Sequence, residues 1–354
     1  MQSISLVLIV KNEERCIDRC LASFHGLVDE IIVVDTGSTD DTVRKAEQHN
    51  VRLMHYRWQN DFAAARNFAL DAAQGDWNLV VDADEWLLEG AAEILRLRDQ
   101  PTEFVGLIEQ VNQLQDQGFE HYSSSYIPRV LPKSVRYQGR IHEQPRYSLQ
   151  SKNLPIRFAH DGYLVSNRTQ KIGRNETILR SELADFPQDA YLNYQLGKEL
   201  STQDAFNEAI VFFEIAKSHC LMDAPWRHDL IVRLLFSYKK NQQFAQGLAT
   251  IESEERNYLH SPDFYFVCGD FLIDCALHSP QHAAQLMPMI EMNFLKAREI
   301  GENPAIDERV IGRGSFLAAY NLYAFHTSMG HTDQAEHFYQ LYEAEKKALG
   351  DRFL

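Results

Sequence analysis

Ile31-Ile32-Val33-Val34-Asp35-Thr36-Gly37-Ser38-Thr39-Asp40-Asp41-Thr42 and Leu79-Val80-Val81-Asp82-Ala83-Asp84-Glu85-Trp86 decide how this chain is read. Each is an apolar run that ends in acids. In an open α/β sheet, ligands bind outside the carboxyl ends of the strands. Two acidic segments at two such ends converge on one crevice. Acids gathered there suit a divalent cation and the ribose or base of a nucleotide. A bare phosphate wants backbone N–H groups and Lys or Arg instead.

Outward from these runs the first half alternates strand and helix. Ile4–Val10 is an all-apolar strand, as a sheet covered on both faces requires. Glu13–Phe24 has helical spacing through Cys16, Ile17, Cys20, Leu21 and Phe24. Glu30–Asp35 is a second strand, and Ser38 or Thr39 caps a helix running to about His49. Val51–Tyr56, the Ala-rich helix Phe62–Ala73, the strand Trp77–Asp82 and the helix Gly90–Leu97 continue the alternation. Such βαβα order predicts a mostly parallel sheet. After Phe104 the texture changes to β segments, Phe104–Val111 and Tyr126–Tyr137, then a short strand, Ile156–His160.

From about Asn167 the pattern is helical. Leu196-Gly197, Leu200, Ala209, Phe213 and Ala216 have the spacing of a tetratricopeptide unit, in which small residues let two helices pack closely. Leu322, Gly330, Ala335 and Tyr339 repeat part of it, and Leu234, Tyr238, Gly247 and Ile251 form a weaker copy. Pro262–Gly301 fits the period poorly. A solenoid of such units offers a concave surface for peptide or protein contacts, or for dimerisation. The expected division is an α/β domain over 1–165 and an all-α helical-repeat domain over 166–354.

Composition narrows the partners. The net charge of −15 over 354 residues argues against nucleic acid and against an anionic membrane surface. The apolar run Ile4–Val10 stops at Lys11-Asn12-Glu13, too soon for a signal peptide or a membrane span. Cys16, Cys20, Cys220, Cys268 and Cys275 form no metal-spaced set and read as reduced thiols of a cytoplasmic protein. Asn167-Arg168-Thr169 and Asn175-Glu176-Thr177 fit the N-glycosylation pattern and, without an export signal, are read as chance.

Asp82 and Asp84, two apart on a chain leaving a strand, can face one ion, one directly and one through water. Mg²⁺ or Mn²⁺ accepts oxygen ligands and keeps positions open for substrate phosphates. Asp35-Thr36-Gly37-Ser38 also matches the aspartic-protease signature. That chemistry needs a second carboxylate sharing a proton, and no second copy of the run exists. The fitting role for Asp35 is to accept hydrogen bonds from a base or ribose, with Gly37 permitting a tight turn.

Val10-Lys11-Asn12-Glu13-Glu14, Asp35-Thr36-Gly37-Ser38-Thr39-Asp40, Asp61-Phe62-Ala63-Ala64-Ala65-Arg66-Asn67 and Asp82-Ala83-Asp84-Glu85 together resemble the family 2 glycosyltransferases, in the same order. The resemblance covers roughly the first 165 residues. The tail, joined through Arg140-Ile141-His142-Glu143 and His160-Asp161-Gly162-Tyr163, resembles a subgroup with tetratricopeptide extensions. That subgroup includes enzymes that glycosylate peptide cysteine or serine, such as the glycocin S-glycosyltransferases. The resemblance implies a GT-A fold, a nucleotide-sugar donor, most often a UDP-sugar, and Mn²⁺ or Mg²⁺. It places Asn12, Glu13 and Asp35 around the nucleoside and Arg66 near the base or diphosphate; Lys11, Gly37, Ser38 and Asp82 are further candidates for nucleotide contact. Asp82 and Asp84 correspond to the metal-binding Asp-x-Asp, with His160 as a late addition to the metal shell. Glu143 stands where family members supply the base that takes the acceptor proton, with Asp161 as runner-up; the alternative for Glu143 is an ion pair with Arg140 or Arg146. His142 is a further candidate for contact with acceptor or phosphate. The acceptor is a peptide or protein, or else a glycan such as a lipopolysaccharide core sugar.

Two readings of other classes compete. A degenerate transferase domain on a repeat scaffold would be a binding protein, which the intact Asp82/Asp84 pair disfavours. A nucleotidyltransferase would want a Gly-rich, basic loop after the first strand, and Lys11-Asn12-Glu13-Glu14 is no such loop.

Overall fold

A computed structural model describes residues 1–116, 119–161 and 173–353. The chain forms two compact units, Met1–Ile178 and Leu179–Leu354. The expected boundary at 165/166, Gly162, Tyr163 and the Asn167 sequon lie outside the described residues.

In the first unit the chain runs β1 (Ile4–Val10), α1 (Ile17–Ser23), β2 (Glu30–Asp35), α2 (Thr42–Ala46), β3 (Arg52–His55), α3 (Phe62–Ala72), β4 (Trp77–Val80), β5 (Glu85–Glu89) and α4 (Ala91–Arg96). It continues as β6 (Phe104–Asp116), β7 (Phe119–Pro132), β8 (Arg136–Gln138), β9 (Gln144–Arg146) and β10 (Gln150–His160). Eight of these strands share one sheet in the order β3-β2-β1-β4-β7-β6-β10-β5, and β8 and β9 pair separately. The sheet is mixed. The pairs β1–β2, β2–β3, β1–β4 and β6–β10 are parallel, whereas β4–β7, β6–β7 and β5–β10 are antiparallel.

The two-residue period of β1 sorts its side chains onto two faces. Ile4, Leu6, Leu8 and Val10 pack with Ile17, Cys20, Leu21 and Phe24 of the α1 side. Val7 packs on the other face with Ala63, Ala69 and Leu70 of α3. Fully burying one such aliphatic side chain stabilises by about 1.5–3 kcal/mol. The all-apolar reading of β1 therefore follows from helices on both faces.

Register sets the chemistry-bearing edge. Val10 lies opposite Asp35 and Val7 opposite Val80. The chain thus leaves β1, β2 and β4 at one edge, carrying Lys11, Thr36 and Val81 onward. The last residue of β10, His160, lies opposite Glu85 on β5 and Asn112 on β6. That pairing brings His160 beside Asp84.

Some expectations are corrected. The helix after Asp35 starts at Thr42, and neither Ser38 nor Thr39 caps it. Asp40 Oδ1 accepts from Thr42 N at 3.0 Å, while Ser38 Oγ accepts from Asn12 N at 2.9 Å. Strand β5 is absent from the sequence expectation. Its residues, Glu-Trp-Leu-Leu-Glu, have no clean alternation, and the pairing with β10 is a tertiary event.

The second unit stacks helices in hairpins: Ala190–Ser201 with Phe206–His219, Arg227–Lys240 with Phe244–Glu254, Pro262–His278 with Ala283–Ile300, and Phe316–Ser328 with Thr332–Phe353. Three of them turn alike. Asp204, Gln242 and Gly330 are left-handed. The next amide reaches back five residues in each case: Ala205 N to Leu200 O at 3.0 Å, Gln243 N to Tyr238 O at 2.9 Å, and His331 N to His326 O at 2.9 Å. This shared C-terminal cap marks a structural repeat. The third hairpin departs from the period because its helices run 17 and 18 residues.

Gly197 explains the close packing of the first hairpin. A Cβ there would lie 2.5 Å from Phe213 Cδ1, and Phe213 is fully buried. Gly197→Val should therefore lower the unfolding free energy by about 1–3 kcal/mol through overpacking, read from urea denaturation. An unchanged midpoint would contradict this packing. Among the described residues, no helix is long and apolar enough to cross a membrane.

Candidate active site

Helix α3 positions the first cation of the site. The Asp61 carboxylate caps it, accepting from Ala64 N at 2.8 Å, and buried Ala63, Ala65 and Ala69 let it lie close to the sheet. Asn67 ties the helix to the β8–β9 hairpin. Its Nδ2 donates to Tyr137 O at 2.9 Å and its Oδ1 accepts from Tyr137 N at 2.8 Å. Arg66, one residue earlier, then spans two acids. Its Nη2 donates to Asp82 Oδ1 at 2.7 Å and its Nε to Glu143 Oε1 at 2.5 Å. The guanidinium lies 5.5 Å from the Tyr137 ring centroid.

Asp82 is held from its other side by Arg129 of β7, whose Nη2 donates to Asp82 Oδ2 at 2.6 Å and to Glu85 Oε1 at 2.7 Å. Glu85 is fully buried. Its Oε2 accepts from Asp82 N at 2.8 Å, and Gln110 Nε2 donates to its Oε1. Burial raises the Glu85 carboxyl, with Arg129 opposing. Burial would raise Asp82 too, but Arg129 and Arg66 outweigh it and hold that carboxyl well below the usual range. Asp82 is therefore an anion across the physiological range.

Asp84 is buried and lies against His160, Oδ2 to Nε2 at 3.4 Å. His160 Nδ1 is 2.8 Å from Asn112 Oδ1. A carboxamide oxygen only accepts, so Nδ1 carries a proton, and Nε2 faces Asp84. Two donors on one octahedral Mg²⁺ or Mn²⁺ sit about 3 Å apart, given bonds of about 2.0–2.1 Å. The pair therefore fits a divalent cation, with water and substrate phosphate completing the shell. Among the described residues no group of three or more His, Cys, Asp or Glu is placed to hold a metal ion. Four acids (Asp82, Asp84, Glu85, Glu143) and His160 gather around two guanidinium groups, Arg66 and Arg129.

Where the chain leaves β1 and β2 the loops are laced together. Asp35 is nearly buried and turns its carboxylate onto its own loop, accepting from Gly37 N at 3.1 Å and Ser38 N at 3.0 Å, with His55 Nδ1 at 3.4 Å. Gly37 has φ +109°, which the turn requires. Asn12, itself at φ +57°, accepts from Thr39 N at 2.8 Å. Glu13 N donates to Thr42 Oγ1 at 2.7 Å. Lys11, Asn12, Glu13, Asp35, Gly37 and Ser38 thus share one loop cluster at the sheet edge.

Asp161 differs from Glu143. Arg15 donates to both its oxygens at 2.8 and 2.9 Å, and Arg19 adds a bond at 2.6 Å. Burial would raise the carboxyl, but Arg15 and Arg19 outweigh it and lower it. Glu143 pairs with Arg66 rather than with Arg140 or Arg146, and its Oε2 accepts no hydrogen bond from the described residues.

Sequence reading overlooked Arg129 and Asn112, and quoted Glu85 and Asn67 without a role. Arg129 sits in Ile-Pro-Arg-Val-Leu, a β segment with no local sign of its acidic partners. Asn67 directly follows Arg66 in a quoted run, and that adjacency was the available signal.

Residues 5–153 match Glycosyl transferase family 2. A TPR repeat-containing protein of Synechococcus elongatus is 38% identical over 56% of this chain and 52% of its own length. The SPbeta prophage-derived glycosyltransferase SunS of Bacillus subtilis is 28% identical over 77% of this chain and 67% of its own. The chain thus spans about half the length of the first relative and about two thirds of the second. Glucosyl-3-phosphoglycerate synthase from Mycobacterium tuberculosis, solved with Mn²⁺, UDP and glucosyl-3-phosphoglycerate, aligns at 28% identity and TM-score 0.26, covering 31% of this chain and 44% of that one.

Proposed function

We propose that the chain, whose residues 5–153 match Glycosyl transferase family 2 and whose second unit is a stack of helical hairpins, moves a sugar from a nucleotide sugar, UDP-linked, to a hydroxyl or thiol of a peptide or protein. The observation that carries this is the Asp84–His160 pair beside Arg66-held Asp82 and Glu143, on one edge of the sheet. Asp84 and His160 would hold Mn²⁺ or Mg²⁺, which when bound neutralises the diphosphate leaving group. The Asp35 loop cluster receives the nucleoside. The acceptor oxygen or sulfur forms a bond to the anomeric carbon, and the carbon–oxygen bond to the diphosphate breaks. Glu143 takes the acceptor proton through Oε2, while Arg66 holds Oε1. Asp161, gripped by two arginines, is the weaker base. A cytoplasmic setting suits the five free thiols.

The test is release of nucleoside diphosphate from a panel of nucleotide sugars with Mn²⁺, with and without Ser- and Cys-containing acceptor peptides. One donor should be turned over, faster with peptide. No release from any donor would overturn the proposal, and acceleration by glycans alone would move the acceptor to that class.

Asp35 gives a separate check. Asp35→Ala should weaken UDP binding by about 0.5–1.5 kcal/mol, the worth of a ligand hydrogen bond. Calorimetry well below the melting temperature separates this from the loosened turn. Equal UDP affinity would leave Asp35 with only its own loop to organise.

A further inference from the structure

Both oxygens of Asp82 are occupied by guanidinium groups, and one of those groups is itself fixed by a fully buried acid. We propose that Arg129, anchored by Glu85, is a positioning residue that withholds the Asp82 carboxylate from the cation, so that the ion is taken by Asp84 and His160. This rests on the metal-dependent transferase reading above.

The geometry supports a fixed device rather than a passing contact. Arg129 Nη2 bridges Asp82 Oδ2 at 2.6 Å and Glu85 Oε1 at 2.7 Å. The remaining oxygen of Glu85 holds the Asp82 backbone amide at 2.8 Å. The side chain and the main chain of Asp82 are therefore held by two connected groups. Arg129 and Glu85 are buried, where an ion pair has little freedom to rearrange. A buried acid beside Asp82 would by itself repel it; Arg129 turns that repulsion into a clamp. Arg66 completes the grip on Oδ1 and carries it to Glu143. If Asp82 swung onto the cation instead, Arg129 would keep only Glu85 and Arg66 only Glu143, so each buried guanidinium would lose one of its two carboxylate partners.

The consequence is a gain that a merely structural role does not produce. Arg129→Met frees Asp82 Oδ2, so Mn²⁺ alone should bind more tightly, by about tenfold for one added charged ligand. The turnover number for donor hydrolysis should fall, because Asp82 no longer holds Arg66 and Glu143 in place. Arg129→Lys keeps the charge and carries three N–H donors on one nitrogen, but on a shorter side chain, and should show a smaller gain. Because Arg129→Met leaves Glu85 without its partner, melting temperature is recorded for each variant, and Arg129→Lys carries the test if the Met variant does not fold.

Removing a positive charge could tighten cation binding through space alone. A double-mutant cycle separates the two causes. Calorimetric titration of Mn²⁺ into wild type, Arg129→Met (or Arg129→Lys), Asp82→Asn and the double variant should show the gain when Asp82 is present and its loss in the Asp82→Asn background. A gain of the same size in both backgrounds, no gain, or no Mn²⁺ binding by the wild type would overturn the proposal. Failure of the transferase reading shows up separately, as absence of nucleotide-sugar turnover by a wild type that still binds Mn²⁺.

Discussion

Glu143→Gln should lower the turnover number for transfer to a hydroxyl acceptor by about 10²–10⁴-fold, the range of general-base catalysis. The change is nearly isosteric, and the amide oxygen can still accept from Arg66 Nε, which now bonds Glu143 Oε1 at 2.5 Å. Donor KM and UDP affinity should therefore change little. A base acts in the transition state, so its loss appears in kcat rather than in binding. Asp161→Asn should cost less transfer, because Arg15 and Arg19 already commit that carboxylate. A cysteine acceptor that arrives as thiolate needs the base less, so paired Ser and Cys peptides sharpen the result. Full activity of Glu143→Gln on the Ser peptide, with Asp161→Asn inactive, would reverse the assignment.

Asp84→Asn should abolish Mn²⁺-dependent donor hydrolysis while the ligand-free protein melts at the same temperature or higher. The sign follows from charge. Asp84 raises the carboxyl of Asp82 through like-charge repulsion. Removing one acid relieves that repulsion. It also exchanges the carboxylate beside His160 Nε2 for a neutral amide, which has one oxygen in place of two. Turnover that survives this substitution would remove the cation from the account.

The parts of this site that were legible in sequence are those with a local signature. Asp35 ends β2, and Asp82 and Asp84 come two and four residues after Val80, the last residue of β4, so periodicity plus the strand-end rule sufficed. The repeat hairpins were legible through Gly197 and its spacing to Phe213. The unread parts are pairings between distant residues. Arg66 meets Glu143 across 77 positions and Arg129 meets Glu85 across 44, and nothing near either residue encodes the partner. The helix after Asp35 shows a different limit. Ser38, Thr39, Asp40 and Asp41 are all short polar side chains able to cap, and only the tertiary demand of Asn12 for the Ser38 hydroxyl leaves Asp40 to meet Thr42. Strand β5 was hidden because Glu85 points into a buried charge cluster, which breaks the alternation that marks a strand.

The central claim is that one sheet edge binds a nucleotide through a cation. Thermal stability of the wild-type protein with UDP, in Mn²⁺ and again in chelator, tests it most directly. With Mn²⁺ and UDP at about a hundred times its dissociation constant, the gain should be about 2.7 kcal/mol, and chelator should remove most of it. Stabilisation of equal size with and without the cation, or none from any nucleoside diphosphate, would contradict the account.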